Sequence, residues 1–123
     1  MKSIRTGHLT LVPFLAALVL LACSGHSDAP TEPVGGDGVT VVTVRDYAFA
    51  APTITIDAGK SVRWRGTTGT FHTITPDGHQ VFTERQMNAS GQTFEVRFDT
   101  AGRYKYFCTV HRTLGMTGEV VVR

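Results

Sequence analysis

Near its C-terminus the chain reads Tyr106-Phe107-Cys108-Thr109-Val110-His111-Arg112-Thr113-Leu114-Gly115-Met116, which puts a thiolate, an imidazole and a thioether in one short loop spaced C-x2-H-x4-M. A second imidazole, His72, lies upstream behind Phe71. Sulfur and nitrogen donors mixed in this way form a soft set that suits copper better than a hard cation. Two imidazoles and a thiolate in a trigonal arrangement, with a weak and distant thioether, make the ligand set of copper centres that pass single electrons. His72, Cys108, His111 and Met116 are therefore the candidate metal ligands, for one copper ion.

Two of the four have rivals. His79 competes with His72, but it follows the Pro76-Asp77-Gly78 turn, whereas His72 opens an alternating segment and a preformed site needs rigid positioning. Met87 competes with Met116, but it stands between Gln86 and Asn88 without neighbouring donors. Met116 follows Gly115 and leads into the last strand, so it closes the loop over Cys108.

The leader explains why Cys108 stands alone. Lys2 and Arg5 precede an apolar stretch, Leu9 to Ala22, that is short for a membrane span and has the layout of a secretory signal. It ends in Leu20-Leu21-Ala22-Cys23, which resembles the bacterial lipobox and implies cleavage before Cys23, with lipid on its thiol. Residues 1–22 then form a lipoprotein signal peptide. An exported protein with two cysteines would otherwise suggest a disulfide. With Cys23 lipidated, Cys108 has no partner, and metal coordination gives a free thiol a reason to persist.

Residues 23–38 carry the lipidated Cys and a Gly-, Pro- and Ser-rich tether. Fifteen such flexible residues span roughly 20 Å. His26 within it reads as a solvated linker residue.

The texture changes at Val39. From there the chain carries 10 basic and 7 acidic residues, without the clustered basic stripe that nucleic-acid binding requires. Residues 39–123 alternate as short strands between turns: Thr40–Tyr47, Thr53–Asp57, Ser61–Arg65, Phe71–Thr75, Thr93–Phe98, Arg103–Phe107 and Gly118–Arg123. Only Glu84 to Ser90 offers a helical candidate, of two turns at most. The fold class is all-β, a sandwich of about seven to eight strands.

Taken together, Phe49-x2-Pro52-x-Ile54-x-Ile56-x2-Gly59-x2-Val62-x-Trp64, then His72, then Gly102-x-Tyr104-x-Tyr106-x-Cys108-x2-His111-x4-Met116-x-Gly118 resemble the cupredoxin (blue-copper) family of plastocyanin, amicyanin and pseudoazurin type. The resemblance implies a Greek-key β-sandwich with one copper at its upper end, cycling between Cu(I) and Cu(II). It implies an electron port at His111, with Leu114 as an apolar neighbour; Arg112 beside it is unusual, and it either adds a positive charge at the port that favours an acidic-rimmed redox partner protein or is a solvated surface residue. Phe71, Phe107 and Leu114 are expected in an apolar shell around the metal. Two positions depart from the family pattern. Thr73 stands where the Asn that ties the ligand loops together is usual, and Val110 stands where Pro is frequent.

Bond chemistry has no visible apparatus. Multicopper oxidases resemble this fold but flank the cysteine with histidines, where this chain has Phe107 and Thr109. A binuclear centre would need a second cysteine in the loop. The expectation is a monomeric electron carrier rather than an enzyme, an exported bacterial lipoprotein in the periplasm or on the outer face of a membrane. A copper storage, delivery or sensing module is the alternative, and it would hold Cu(I) loosely where a carrier shows an intense thiolate-to-Cu(II) band. The Cys23→Ala variant is expected to leave the membrane fraction for the soluble one. Retention in the membrane fraction would disprove the lipid anchor.

Overall fold

The computed structural model describes residues 38–123; the signal peptide, Cys23 and the tether up to residue 37 lie outside the described residues. Among the described residues nine strands form: β1 (Val39–Arg45), β2 (Ala48–Phe49), β3 (Thr53–Ile56), β4 (Lys60–Gly66), β5 (His72–Pro76), β6 (Arg85–Met87), β7 (Thr93–Phe98), β8 (Gly102–Phe107) and β9 (Thr117–Val122). They make two sheets, ordered β2-β1-β4-β7 and β3-β9-β8-β5-β6. The all-β sandwich expected from the alternation is present. The count exceeds the expected seven to eight because β2 and β6 are too short to read from alternation.

Strand β6 also corrects the one helical candidate. Arg85–Met87 pairs antiparallel with β5, setting Met87 opposite His72. A two-turn helix is marginal in water, because nucleation costs several fixed dihedrals before any bond repays them. Pairing along β5 satisfies the backbone at once.

Alternation decides which face each strand buries. Val42 and Val44 of β1, Ile54 and Ile56 of β3, and Val62 and Trp64 of β4 point into the core. The Trp64 ring packs on Phe82, Phe94 and Tyr106 at centroid distances of 5.7, 5.7 and 5.3 Å. Tyr106 of β8 also sets its edge against Phe49, 4.8 Å away. Burial pushes the Tyr106 phenol up to about 12, so it stays neutral inside the sandwich.

Tyr106 explains a glycine. In the β8–β9 register it lies directly opposite Gly118, and its ring covers the space a Cβ there would occupy. The same register places Phe107 opposite Thr117, so the loop Cys108–Met116 is the direct connection between neighbouring strands. Strand β5 runs beside β8, with Thr75 opposite Phe107, which brings His72 to the same end of the sheet. Gly118→Ala is expected to lower stability by about 1–3 kcal/mol through overpacking against Tyr106. Thermal unfolding of the variant checks this, and an unchanged midpoint would contradict the packing.

Candidate metal centre

The β8–β9 loop is bent into shape by its own backbone. The Cys108 N–H donates to the Met116 carbonyl at 3.0 Å, closing the loop at its base. The His111 N–H returns to the Cys108 carbonyl at 3.3 Å, and the Leu114 N–H to the His111 carbonyl at 3.0 Å. Gly115 then takes a φ of 82°, the left-handed conformation that a glycine adopts without steric cost. These turns fold His111 back over Cys108.

Three donor atoms converge there. Cys108 Sγ lies 3.4 Å from His111 Nδ1 and 3.9 Å from His72 Nδ1, and the two Nδ1 atoms are 3.2 Å apart. A point equidistant from all three lies about 2.0 Å from each, which matches metal–imidazole bond lengths and falls slightly short of metal–thiolate ones. Cys108 and His72 are buried, while His111 is partly exposed. A buried thiol facing two imidazole nitrogens is the donor chemistry of a soft metal site.

His72 is prepared for that role from behind. Its Nε2 faces the Asp46 carboxylate at 3.6 Å, an ion-pair distance that favours a proton on Nε2 and a lone pair on Nδ1. Burial, and then the neighbouring His111, lower the affinity of His72 for a second proton, with Asp46 opposing them. The neutral imidazole is the form that ligates. Asp46 itself is held below the usual carboxylate range by the hydroxyls of Thr70 and Thr68, the latter donating at 2.9 Å.

The rivals are placed elsewhere or differently. His79 Nε2 bonds the Lys105 carbonyl at 2.9 Å, between the rings of Phe82 and Tyr104, and serves packing. Met87 and Met116 are both buried. Met87 lies across from His72 with its methyl toward Gly66, whereas Met116 is joined to both Cys108 and His111 by backbone bonds. The expected shell needs correction: Phe71 and Leu114 are exposed at the surface, and Phe107 lies beneath the Arg112 guanidinium, 3.9 Å from its ring centre. Arg112 also pairs with Asp77 at 3.1 Å, so its charge is balanced rather than presented freely at the port.

Sequence reasoning missed Asp46 and Tyr47, the hairpin turn between β1 and β2. Tyr47 adopts a φ of 64° and sets its ring edge against His111 at 4.9 Å. Neither residue carries a local signal, since its relation to the site arises only when β1 packs beside β4.

A β-sandwich with His, Cys and His converging at one end defines a cupredoxin. Residues 37–123 match the copper binding proteins of the plastocyanin/azurin family. The chain belongs to that family, whose members are blue-copper electron-transfer proteins, and its His72–Cys108–His111 set fits one copper ion. It is 38% identical to a chloroplastic plastocyanin of Tetradesmus obliquus over 106 residues, covering 79% of this chain and 69% of that protein. It is 34% identical to amicyanin-alpha of Methylorubrum extorquens over 110 residues, covering 87% and 86%. The solved amicyanin of Paracoccus versutus superposes with a TM-score of 0.60 at 29% identity, covering 73% of this chain and 85% of that one.

Proposed function

We propose that the chain is a non-enzymatic electron carrier in which His72, Cys108, His111 and Met116 would hold one copper, exported and tethered to a membrane through lipid on Cys23. The observation that carries the reading is the triangle of two Nδ1 atoms and one Sγ, 3.2 to 3.9 Å on a side. Copper bound there would supply a one-electron couple. The residues supply the rest. His72 and Cys108 hold fixed positions because they are buried, so little has to move when the charge changes. The Thr73 N–H, 3.4 Å from Cys108 Sγ, steadies the thiolate. Met116 offers a weak thioether that tunes potential more than affinity.

His111 is the one donor residue with partial exposure, and it forms the port. Among the described residues, four of the five exposed large hydrophobics, Tyr47, Phe71, Val110 and Leu114, belong to the segments that carry or touch the donors. An apolar end of this kind suits small, transient docking of a redox partner protein onto a monomer. Membership of the plastocyanin/azurin family supports a redox partner, the secretory layout of the leader supports export, and the lipobox supports the tether.

Loading the protein with Cu(II) is expected to give an intense visible thiolate-to-copper band and rapid self-exchange. Cys108→Ser is expected to abolish that band while the domain stays folded, less stable by about 1–3 kcal/mol for the poorly paired buried hydroxyl. A blue Cys108→Ser protein would sink the assignment. For the thioether ligand, Met116→Leu is expected to shift the reduction potential, whereas Met87→Leu leaves it unchanged; each swap costs under about 1.5 kcal/mol in packing. The opposite result in voltammetry would transfer the role to Met87.

A further inference from the structure

The family's usual Asn is replaced by Thr73, yet the two ligand-bearing segments remain tied. Thr73 Oγ1 accepts the Thr109 N–H at 2.7 Å, directly beyond Cys108. The β5–β8 ladder reaches only Thr75 and Phe107, so at the level of His72 and Cys108 this side-chain bond takes the place of a backbone rung. A hydroxyl, however, rotates freely, and Thr73 Oγ1 holds its lone pair toward Thr109 N–H only if its hydrogen has another acceptor.

The surrounding hydroxyls provide one. Thr73 Oγ1 lies 2.9 Å from Thr75 Oγ1 and 3.1 Å from Thr109 Oγ1. Those two hydroxyls are 2.9 Å apart, and both reach one carboxylate oxygen, Glu84 Oε2, at 2.7 and 3.0 Å. An ionised carboxylate only accepts, so Thr75 and Thr109 both donate to it, and their lone pairs turn toward Thr73. Thr73 therefore donates to one of them and accepts from the Thr109 N–H. The charge on Glu84 sets the direction of the hydroxyl bonds in the cluster. The backbone N–H of the same Thr73 meets Cys108 Sγ at 3.4 Å, so the cluster ends on the thiolate.

We propose that Glu84, an exposed residue just ahead of β6, is a positioning residue for the copper centre: its carboxylate polarises a three-threonine relay that does the work of the missing Asn and fixes the Thr73 amide on Cys108 Sγ. The proposal rests on the electron-transfer reading above. It assigns Glu84 no contact with the metal, and it makes Thr73 sufficient at its position only because Thr75, Thr109 and Glu84 accompany it.

The test is voltammetry and visible absorption of the copper-loaded protein carrying Glu84→Ala or Glu84→Gln. Glu84→Ala is expected to move the oxidised-to-reduced ratio at the wild-type midpoint by about threefold or more, half a decade on the scale of about 59 mV per tenfold for a one-electron couple. The shift should persist at high ionic strength, where the influence of a remote surface charge is screened. It should accompany a displaced thiolate-to-copper band. Glu84→Gln, whose carbonyl still accepts, should recover part of the change. In a background of Thr75→Val with Thr109→Val, Glu84→Ala should produce no further shift, since the relay is already cut. An unchanged potential, a shift that disappears with salt, an undisplaced band, or an undiminished effect in the valine background would each overturn the proposal. A wild-type protein without the thiolate band would instead refute the electron-transfer reading, so the two failures are distinguishable. Because Glu84 is exposed but accepts two threonine hydroxyls, its variants are expected to stay folded with at most a small drop in unfolding temperature.

Discussion

The bond from the Thr109 N–H to Thr73 Oγ1 spans 36 positions of sequence and joins the residues that follow His72 and Cys108. It ties the segment that carries His72 to the one that carries Cys108. His72 enters from β5 and Cys108 from β8, and their strands are paired only lower down. Without a link at their own level, the two donors would splay as the strand ends fray. A donor set held 3.2 to 3.9 Å apart needs a bridge at that height, and a buried threonine provides it. The sandwich below then acts as a foundation: Trp64, Tyr106 and the β8–β9 register decide where the bridge stands.

Much of the architecture was legible because the chain reports it locally. Ile54 and Ile56, or Val62 and Trp64, announce a buried face through a period of two that any strand obeys. Cys108 and His111 are legible for a similar reason, since one short loop carries both and Gly115 marks where it turns. His72 was separable from His79 because one opens a strand and the other follows a turn. Phe71 and Leu114 illustrate the limit: being apolar near a donor in sequence did not place them around it, and both face solvent.

What stayed hidden depends on register between distant strands. Asp46 stands behind His72 only because β1 runs parallel to β4 and its hairpin turn then rises beside the site. Glu84 meets Thr75 and Thr109 only because a three-residue strand, too short for any periodic signal, pairs with β5. Thr73 read alone is only a departure from the family pattern. Its companions are 2, 11 and 36 residues away, and no local pattern joins them.

The complete burial of Cys108 has a consequence for the protein before any metal arrives. Thiol–disulfide exchange requires in-line access to sulfur, and stepwise oxidation to sulfenic and sulfinic acids follows exposure. A sulfur enclosed by the sandwich, facing two imidazoles and the Thr73 amide, offers neither route to reagents in solvent. The scaffold that orients the thiolate for electron transfer thereby also shields the empty protein, which can wait for its ion without being chemically spent.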